Sequence, residues 1–283
     1  MEWRNLRVSN KTIWTVWYQG LKQSPPLVQS CIQSWRQFNP DWEVIVLDRD
    51  SLTDWIAPNE ALDNRSDLTL QKLSNLARLS LLRRYGGVWV DPTVFCLRAL
   101  SDWLDDHYRV GFFAFRNPAR DRMMSNWFIA SERDNPLLVA LHQTYFEFFT
   151  RRTFVNQNSQ VGRFLVRHLT PILSRSFRRT TIWLNPHLQQ FVRAYPYFVF
   201  HYAFNELILT RPDLRALWIE VNSLDARQMH ELQTYAKERD GLTKALFALE
   251  RNDWPMQKLN WRADLTSVYW SEVLRCLRTI PVH

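Results

Sequence analysis

Residues 66–97 constrain the fold of this chain more than any other stretch of its sequence. They predict a long helix rich in leucine, a stop at Gly86 and Gly87, and a short strand that ends at Asp91. Leucine falls on nearly every side of the helix, and a helix that is apolar all round is buried. Glycine suits the left-handed conformation that ends a helix. The Val-Trp-Val run before Asp91 is short and apolar, which is typical of an internal strand.

Two polar side chains interrupt this apolar helix. Asn75 and Arg78 are three residues apart, so they project from the same face. A buried amide and a buried guanidinium both need hydrogen-bond partners. Asp91 ends the strand that follows, and open α/β sheets bind their ligands at the carboxyl ends of strands. The segment therefore predicts a ligand site at Asp91 and marks Asn75 and Arg78 as residues that need partners.

The rest of the first 150 residues predicts a parallel α/β core. Apolar runs at 12–19 and 42–47 are typical of buried strands, and they flank a helix that begins after Ser24 and ends at about Phe38. A strand, a helix and a strand in this order form the unit of a parallel sheet. The other predicted elements of this half are an irregular segment at 51–65, strands at 110–115 and 126–130, a polar loop at 116–125, and a helix that begins at Asn135.

Helical patterns dominate after residue 150. The predicted helices cover 159–176, 185–194, 199–210, 225–238, 242–252 and 270–279, with a late strand at 257–261. The sequence contains no repeat, low-complexity tract or Gly/Ser linker. We therefore predict one continuous domain, with an α/β core over residues 1–150 and a mostly helical part over residues 151–283 packed on it.

The composition narrows the classes of partner and compartment. The formal net charge of +8 favours an anionic partner, such as an activated nucleotide, a nucleic acid or an acidic membrane surface. The 14 tryptophans suit stacking on sugars or bases, although most large aromatics are core residues. The three cysteines favour a reducing compartment, and no run is long and apolar enough to span a bilayer. We expect a cytoplasmic protein, either soluble or peripheral on the inner face of the membrane.

Two of these partner classes are weakly supported. The basic aromatic run at 176–179 and a final helix with Trp270, Leu274 and Leu277 could rest on an anionic membrane, but a solvated face is preferred. Nucleic-acid binding rests only on charge and aromatic content. Because the sequence has no helix-turn-helix, zinc or RNA-binding motif, we predict no nucleic-acid partner.

Several pieces of the sequence together resemble one known family. These pieces are SNLARLSLLRRYGGVWVDPTV at 74–94, SNWFIASERDNPLL at 125–138, YFVFHYAFNELI at 197–208 and KLNWR at 258–262. They are similar to the bacterial capsular polysaccharide synthesis proteins, cell-envelope glycosyltransferases with a DXD-type sugar-binding region. That family is related to glycosyltransferase family 32 and, more distantly, to the clostridial glucosylating toxins.

The resemblance implies a GT-A-like, Rossmann-type fold with a mostly parallel sheet, in which residues 1–150 bind a nucleotide-sugar. It implies transfer of a sugar from a nucleotide-diphosphate donor to a capsular or cell-surface polysaccharide or to a lipid-linked oligosaccharide. It also implies that the transfer retains the anomeric configuration. In such a reaction the leaving diphosphate itself takes the acceptor proton, so catalysis depends on positioning and on stabilisation of the departing charge.

The resemblance also implies roles for individual residues. The family helix carries Ser-Asp-x-x-Arg, where this chain has Ser74, Asn75 and Arg78, and the family strand ends in Asp-x-Asp, where it has Asp91 and Thr93. Arg78 would contact the donor sugar or diphosphate, Asn75 the sugar hydroxyls, and Asp91 the ribose or metal-bound water. Ser74 belongs to the same donor-binding pattern.

Further residues follow from the other similar pieces and from the first strand. Trp17 would stack on the nucleobase, and Asn126 lies where relatives place amides that contact the sugar. His201, Lys258 and Trp261 are weaker candidates for contact with the acceptor or a phosphate.

The chain departs from the family pattern at Asn75 and Thr93. An amide still binds sugar hydroxyls as donor and acceptor. The family's divalent metal, Mn²⁺ or Mg²⁺, bridges the diphosphate to carboxylates, and a threonine offers only a neutral oxygen. Some of the positive charge could come instead from Arg78 and neighbouring basic residues. A non-catalytic relative that binds a nucleotide-sugar or glycan without turnover is therefore the alternative.

Each candidate also has a structural explanation. Asp91 could cap local amides, Arg78 could form a buried ion pair between helix and sheet, and Trp17 could belong to the core. We prefer the functional interpretation for these three and for Asn75, whereas Asn126 is open. For His201 a packed core histidine is preferred.

Overall fold

The structure, a computed structural model, describes residues 8–61, 65–152, 154, 160–251 and 254–280. The strands within these ranges are β1 (Thr12–Val16), β2 (Glu43–Leu47), β3 (Gly87–Val90), β4 (Val94–Cys96), β5 (Phe112–Ala119), β6 (Arg122–Ser131) and β7 (Met256–Lys258). The helices are α1 (Pro26–Phe38), α2 (Arg49–Leu52), α3 (Pro58–Ala61), α4 (Leu70–Tyr85), α5 (Leu104–His107), α6 (Pro136–Thr150), α7 (Gln160–Leu173), α8 (Phe177–Thr180), α9 (Pro186–Val192), α10 (Val199–Thr210), α11 (Pro212–Glu220), α12 (Glu231–Tyr235), α13 (Gly241–Glu250) and α14 (Val268–Thr279).

A five-stranded sheet in the order β2-β1-β3-β6-β5 forms the centre of the fold. Strand β1 pairs in parallel with β2 and β3, whereas β6 is antiparallel to both β3 and β5. Four strands therefore run in one direction and only β6 is reversed. The predicted α/β class with a mostly parallel sheet is confirmed, and β4 and β7 form a separate antiparallel pair.

Both faces of the sheet are covered, which explains the continuous apolar runs in β1 and β3. Trp14 and Trp89 face one hydrophobic cluster, in which α4, α6 and α10 pack together. Ile13 and Val88 face a second cluster, to which α1, α13 and α14 contribute. Each cluster contains residues from before and after residue 150. The division of the chain at that residue stays a prediction.

The register of the strands determines which residues lie together at the edge of the sheet where β3 ends. Trp14 of β1 pairs with Trp89 of β3, so β1 and β3 end side by side. Trp17 and Asp91 therefore leave the sheet at the same edge. The reversed strand β6 joins them there, because the Asp91 backbone N–H donates to the Trp127 carbonyl over 2.8 Å.

The loop predicted at 116–125 is wrong, since β5 and β6 form a hairpin through this segment. The local pattern is misleading because its polar side chains find partners far along the chain. The Arg116 guanidinium lies 4.5 Å from the centre of the Trp218 ring and donates to the Val221 carbonyl over 3.1 Å. The sequence prediction also misses β4 and α11, and it places a helix at 225–238 where α12 covers only five residues.

Short helices α2 and α3 occupy part of the segment predicted to be irregular at 51–65. Asp48 caps α2 by accepting a hydrogen bond from the Ser51 backbone N–H over 2.9 Å. Residues 1–7, residues 62–64 and the predicted helix ends at 159 and 252 lie outside the described residues.

The last helix does not offer an apolar face to a membrane or to solvent. Trp270, Leu274 and Leu277 are all buried in the second hydrophobic cluster, and α14 packs against α13. Neither interpretation of these three side chains from the sequence was correct. In the part of the chain that the structure describes, no helix combines the length and the apolar character needed to cross a membrane.

The turn between α4 and β3 requires glycine for two reasons. Gly86 and Gly87 have φ angles of +70° and +93°, in the region that favours glycine. A Cβ on Gly87 would also lie 2.6 Å from the Thr12 carbonyl oxygen. The indole N–H of Trp14 donates to the Gly86 carbonyl over 2.9 Å, so β1 and the turn are in direct contact. This turn therefore fixes the position of β3, and of Asp91 at its end, along β1.

We expect Gly87→Ala to destabilise the protein much more than Gly20→Ala. Gly20 also has a positive φ, of +82°, but the nearest atom to a Cβ there is 3.7 Å away. Gly20→Ala should therefore cost only the backbone strain, about 1–2 kcal/mol. Gly87→Ala should cost about 2 kcal/mol more, because the main chain of β1 must move. Urea unfolding of both variants measures the difference, and equal losses would contradict this role for the turn.

Candidate functional site

A cleft of about 1030 Å³ opens at the edge where β1 and β3 end. Trp17 comes directly after β1, Asp91 directly after β3, and Asn126 lies on the reversed strand β6. Helices α4 and α10 and the segment after β7 supply the remaining walls. The cleft is therefore at the strand ends, where the topology of the sheet predicts a ligand site.

An ion pair between Arg78 and Asp91 forms the floor of the cleft. Arg78 Nη2 lies 2.7 Å from Asp91 Oδ1, and the side chains are 3% and 25% exposed. The Trp89 indole N–H donates to the same carboxylate oxygen over 3.0 Å. The guanidinium also lies over the Trp89 ring at 4.7 Å and the Phe200 ring at 5.6 Å. Burial lowers the pKa of Arg78, and the Asp91 carboxylate opposes that shift.

Asn75 lines the cleft and also holds this pair in place. Its Oδ1 accepts hydrogen bonds from Arg78 Nη1 and, over 3.1 Å, from Asn126 Nδ2. Its own Nδ2 donates to the Tyr145 hydroxyl over 3.1 Å. The amide thus links α4 to β6 and α6 and fixes the direction of the guanidinium. Direct contact of Asn75 with a sugar stays a prediction.

Two tryptophans form an aromatic wall on one side of the cleft. The Trp17 and Trp261 rings meet edge to face, with 6.2 Å between their centres and 87° between their planes. Trp261 is 43% exposed and therefore presents much of its ring surface to a ligand. Aromatic faces of this kind bind sugars and nucleobases.

Thr93 lies behind the cleft, where it meets Lys258. The β4–β7 ladder places Val94 opposite Lys258, and the Leu259 backbone N–H donates to the Thr93 carbonyl over 2.8 Å. Lys258 Nζ donates to Thr93 Oγ1. Burial lowers the pKa of Lys258, and the nearby Asp91 carboxylate opposes that shift.

These residues do not fit a divalent cation. The Thr93 hydroxyl, the oxygen expected to complete a metal site, is already bound to an ammonium group that repels a cation. Asp91 is paired with Arg78. Among the described residues, no group of three His, Cys, Asp or Glu side chains is arranged to hold a metal ion. The metal implied by the family resemblance therefore has no matching set of ligands here.

The lining of the cleft is strongly cationic. The charged residues that line it in the described part of the chain are Lys72, Arg78, Arg122, Arg227, Lys258 and Arg262 against the single carboxylate of Asp91. Arg122 and Arg227 have carboxylate partners, Asp121 and Asp225, just outside the lining. A concave surface with this excess of positive charge attracts anions.

Lys72 is the least exposed of these cations. It is 2% exposed, and its ammonium lies 5.4 Å and 5.2 Å from the ring centres of Tyr195 and Tyr197. Its Nζ donates to the Tyr197 carbonyl oxygen. Burial lowers the pKa of Lys72 to about 7. A lysine held in this way adds positive charge to the cleft at a cost to the fold.

His201 lies at the same end of the cleft. It is buried, and its Nδ1 has no hydrogen-bond partner among the described residues. Burial, together with the charges of Arg122, Arg78 and Lys72, lowers its pKa well below the usual value. The imidazole is therefore neutral at pH 7, as expected of a packed histidine.

The structure brings nearly all of the predicted site residues to this one cleft. Those that line it are Trp17, Ser74, Asn75, Arg78, Asp91, Asn126, His201, Lys258 and Trp261, whereas Thr93 lies just behind. Sequence reasoning missed Lys72, Arg122, Trp89 and Tyr145. Lys72 could have been found, because it lies three residues before Asn75 on the same helix face. The other three carry no local signal.

Several known proteins are similar to part of this chain. It is 32% identical over 160 residues to O-glycosyltransferase braB of Annulohypoxylon truncatum, covering 49% of this chain and 37% of that protein. It is 30% identical over 154 residues to Glycosyltransferase afumC of Aspergillus fumigatus, covering 48% and 39%. It is 22% identical over 184 residues to O-glycosyltransferase PaGT of Phomopsis amygdali, covering 59% and 45%. The chain thus spans less than half the length of these curated relatives, all of which are fungal and named glycosyltransferases.

Among solved structures, one named PaToxG Glycosyltransferase aligns with 96% of this chain and 85% of its own, with a TM-score of 0.42 and 14% identity. The family model described as Capsular polysaccharide synthesis protein matches residues 3–181, which is more than half of the sequence. The chain therefore belongs to the capsular polysaccharide synthesis protein family.

Proposed function

We propose that this chain is a glycosyltransferase whose donor is a nucleotide-diphosphate sugar. The observation that carries the proposal is the cationic cleft at the strand ends, with the Arg78–Asp91 pair at its floor. A diphosphate brings several negative charges, which match the surplus of cations. The aromatic wall of Trp17 and Trp261 suits the flat nucleobase or a sugar face. Membership of the family and the names of the relatives support the same class of reaction.

The proposed acceptor is a hydroxyl group of a glycan or of a lipid-linked oligosaccharide. Two relatives are named O-glycosyltransferases, which supports an oxygen acceptor. The family description supports a capsular or other cell-surface polysaccharide as the product. We also propose that the fold is GT-A-like and that the protein is cytoplasmic.

The chemistry needs positioning more than proton transfer by the protein. The bond from the anomeric carbon to the diphosphate breaks as the bond to the acceptor oxygen forms. The acceptor proton passes to the leaving phosphate oxygen, and the sugar keeps its configuration. Arg78 stabilises the charge on the departing phosphate, while Asp91 and Asn75 keep the guanidinium from rotating away. Burial and the neighbouring cations lower the pKa of His201, which makes it a weaker base than a solvated histidine.

We expect Arg78→Met and Asp91→Asn to lower the rate of sugar transfer by a factor of about 10² or more. Arg78→Met removes the charge that meets the phosphate, and Asp91→Asn removes the carboxylate that orients it. The measurement is release of nucleoside diphosphate from a panel of UDP-, GDP- and dTDP-sugars. Asp213→Asn is the matched control, since it removes the acid of an exposed Arg–Asp pair with a distance of 2.8 Å.

Circular dichroism should show that both site variants stay folded. Turnover close to that of the wild type in both variants would remove the site assignment. A wild-type protein that binds a donor but never turns it over would instead favour the alternative, a non-catalytic nucleotide-sugar binder.

Lys72→Met should make the protein more stable at pH 7 and weaken donor binding. The pKa of Lys72 drops from 10.5 in the unfolded chain to about 7 in the folded protein. Between these pH values the folded state binds fewer protons, so the stability of the wild type rises with pH. Methionine removes this penalty, which should raise the free energy of unfolding by on the order of 2 kcal/mol at pH 7, with a smaller gain toward pH 10.

Urea unfolding at several pH values measures this effect. Lys237→Met is the control, because Lys237 is exposed and lies outside the cleft lining. A loss of stability in Lys72→Met at pH 7, with no dependence on pH, would show that Lys72 is an ordinary structural residue.

A further inference from the structure

The backbone of the protein fixes Lys258 close to the residues that follow β3. Two backbone links hold it there: the β4–β7 ladder opposite Val94, and the hydrogen bond from Leu259 to Thr93. Its Nζ reaches the hydroxyl of Thr93, the third residue of the Asp-Pro-Thr sequence that follows β3, where the family pattern has its second carboxylate. The ammonium is thus built into the strand end rather than carried on a mobile surface side chain.

The net charge at this strand end is the same with Lys258 as it would be with a second carboxylate and a divalent metal. Two carboxylates with a divalent cation contribute no net charge to a site. One carboxylate, Asp91, with one ammonium, Lys258, also contributes none. In both cases the guanidinium of Arg78 remains as the surplus cation that faces the ligand. Loss of a carboxylate at Thr93 and loss of a divalent cation therefore compensate each other electrostatically.

A divalent cation would also be repelled from this location. Lys258 interacts with both Asp91 and Arg78, so all three groups lie within electrostatic reach of one another. A metal beside Asp91 would approach two fixed positive charges with only one carboxylate to hold it.

We propose that Lys258, docked on Thr93, takes the place of the divalent metal and that the cleft binds a nucleoside diphosphate without metal. This inference rests on the proposed function, since it assigns the diphosphate to that same site. The diphosphate lies between Lys258 and Arg78, with Asp91 keeping the two cations at a fixed separation. Lys258 then stabilises the charge that develops on the leaving diphosphate as the glycosidic bond breaks.

The test is calorimetric titration of the whole chain with UDP, GDP and dTDP, in excess EDTA and again in Mn²⁺. At least one of these nucleotides should bind in EDTA, and Mn²⁺ should change its Kd by less than about 3-fold. Lys258→Met should weaken binding in EDTA by about 10-fold or more, whereas Lys258→Arg, which keeps the charge, should lose less. Lys237→Met, an exposed lysine outside the cleft, should bind like the wild type.

A double variant separates replacement of a metal from a structural role. In Thr93→Asp with Lys258→Met, a second carboxylate returns and the ammonium is lost, so binding should now require Mn²⁺. A residue that only supports the fold would not change the response to metal in this way.

Two results would overturn the inference. Binding of a nucleotide to the wild type only when Mn²⁺ is present would refute replacement of the metal and leave the proposed function intact. Failure of the wild type to bind any of the three nucleotides in either condition would overturn the inference and the proposed donor class together.

Discussion

The cleft depends on one buried guanidinium. Arg78 is inside the protein, and a charge there is tolerated only because Asp91, Asn75 and two aromatic rings surround it. These partners come from three parts of the fold: β3 and the residue after it, the preceding turn of α4, and helix α10. The sheet register, the glycine turn and the packing of α10 must therefore all be correct before this cation can face a ligand.

Much of this arrangement follows from local sequence. The apolar helix, the Gly-Gly turn and the strand that ends at Asp91 are consecutive, and the three-residue spacing of Asn75 and Arg78 puts them on one face. The hydrogen bond from Lys258 to Thr93 could not be predicted, because 165 residues separate them and β7 is only three residues long. The extension of β5 and β6 into residues 116–125 was missed for a related reason: Arg116 is satisfied by Trp218 and Val221, which local patterns do not reveal.

The cleft illustrates a conflict between binding and stability. Lys72 is held among tyrosines, and His201, whose Nδ1 has no hydrogen-bond partner among the described residues, lies nearby. An apolar residue at position 72 would suit the fold better. Buried cations of this kind are expected in sites that bind anions, because the negative charge of the ligand stabilises them in the complex. The free protein is then less stable than it could be.

The β4–β7 ladder has a consequence for the order in which the site forms. Strand β4 is synthesised well before its partner strand at Met256–Lys258, so the edge of β4 stays unpaired while the residues between them are made. Contacts this distant in sequence form late and slowly. The end of the cleft that contains Lys258 and Thr93 is thus assembled late, and a nascent chain that already contains Arg78 and Asp91 still lacks it.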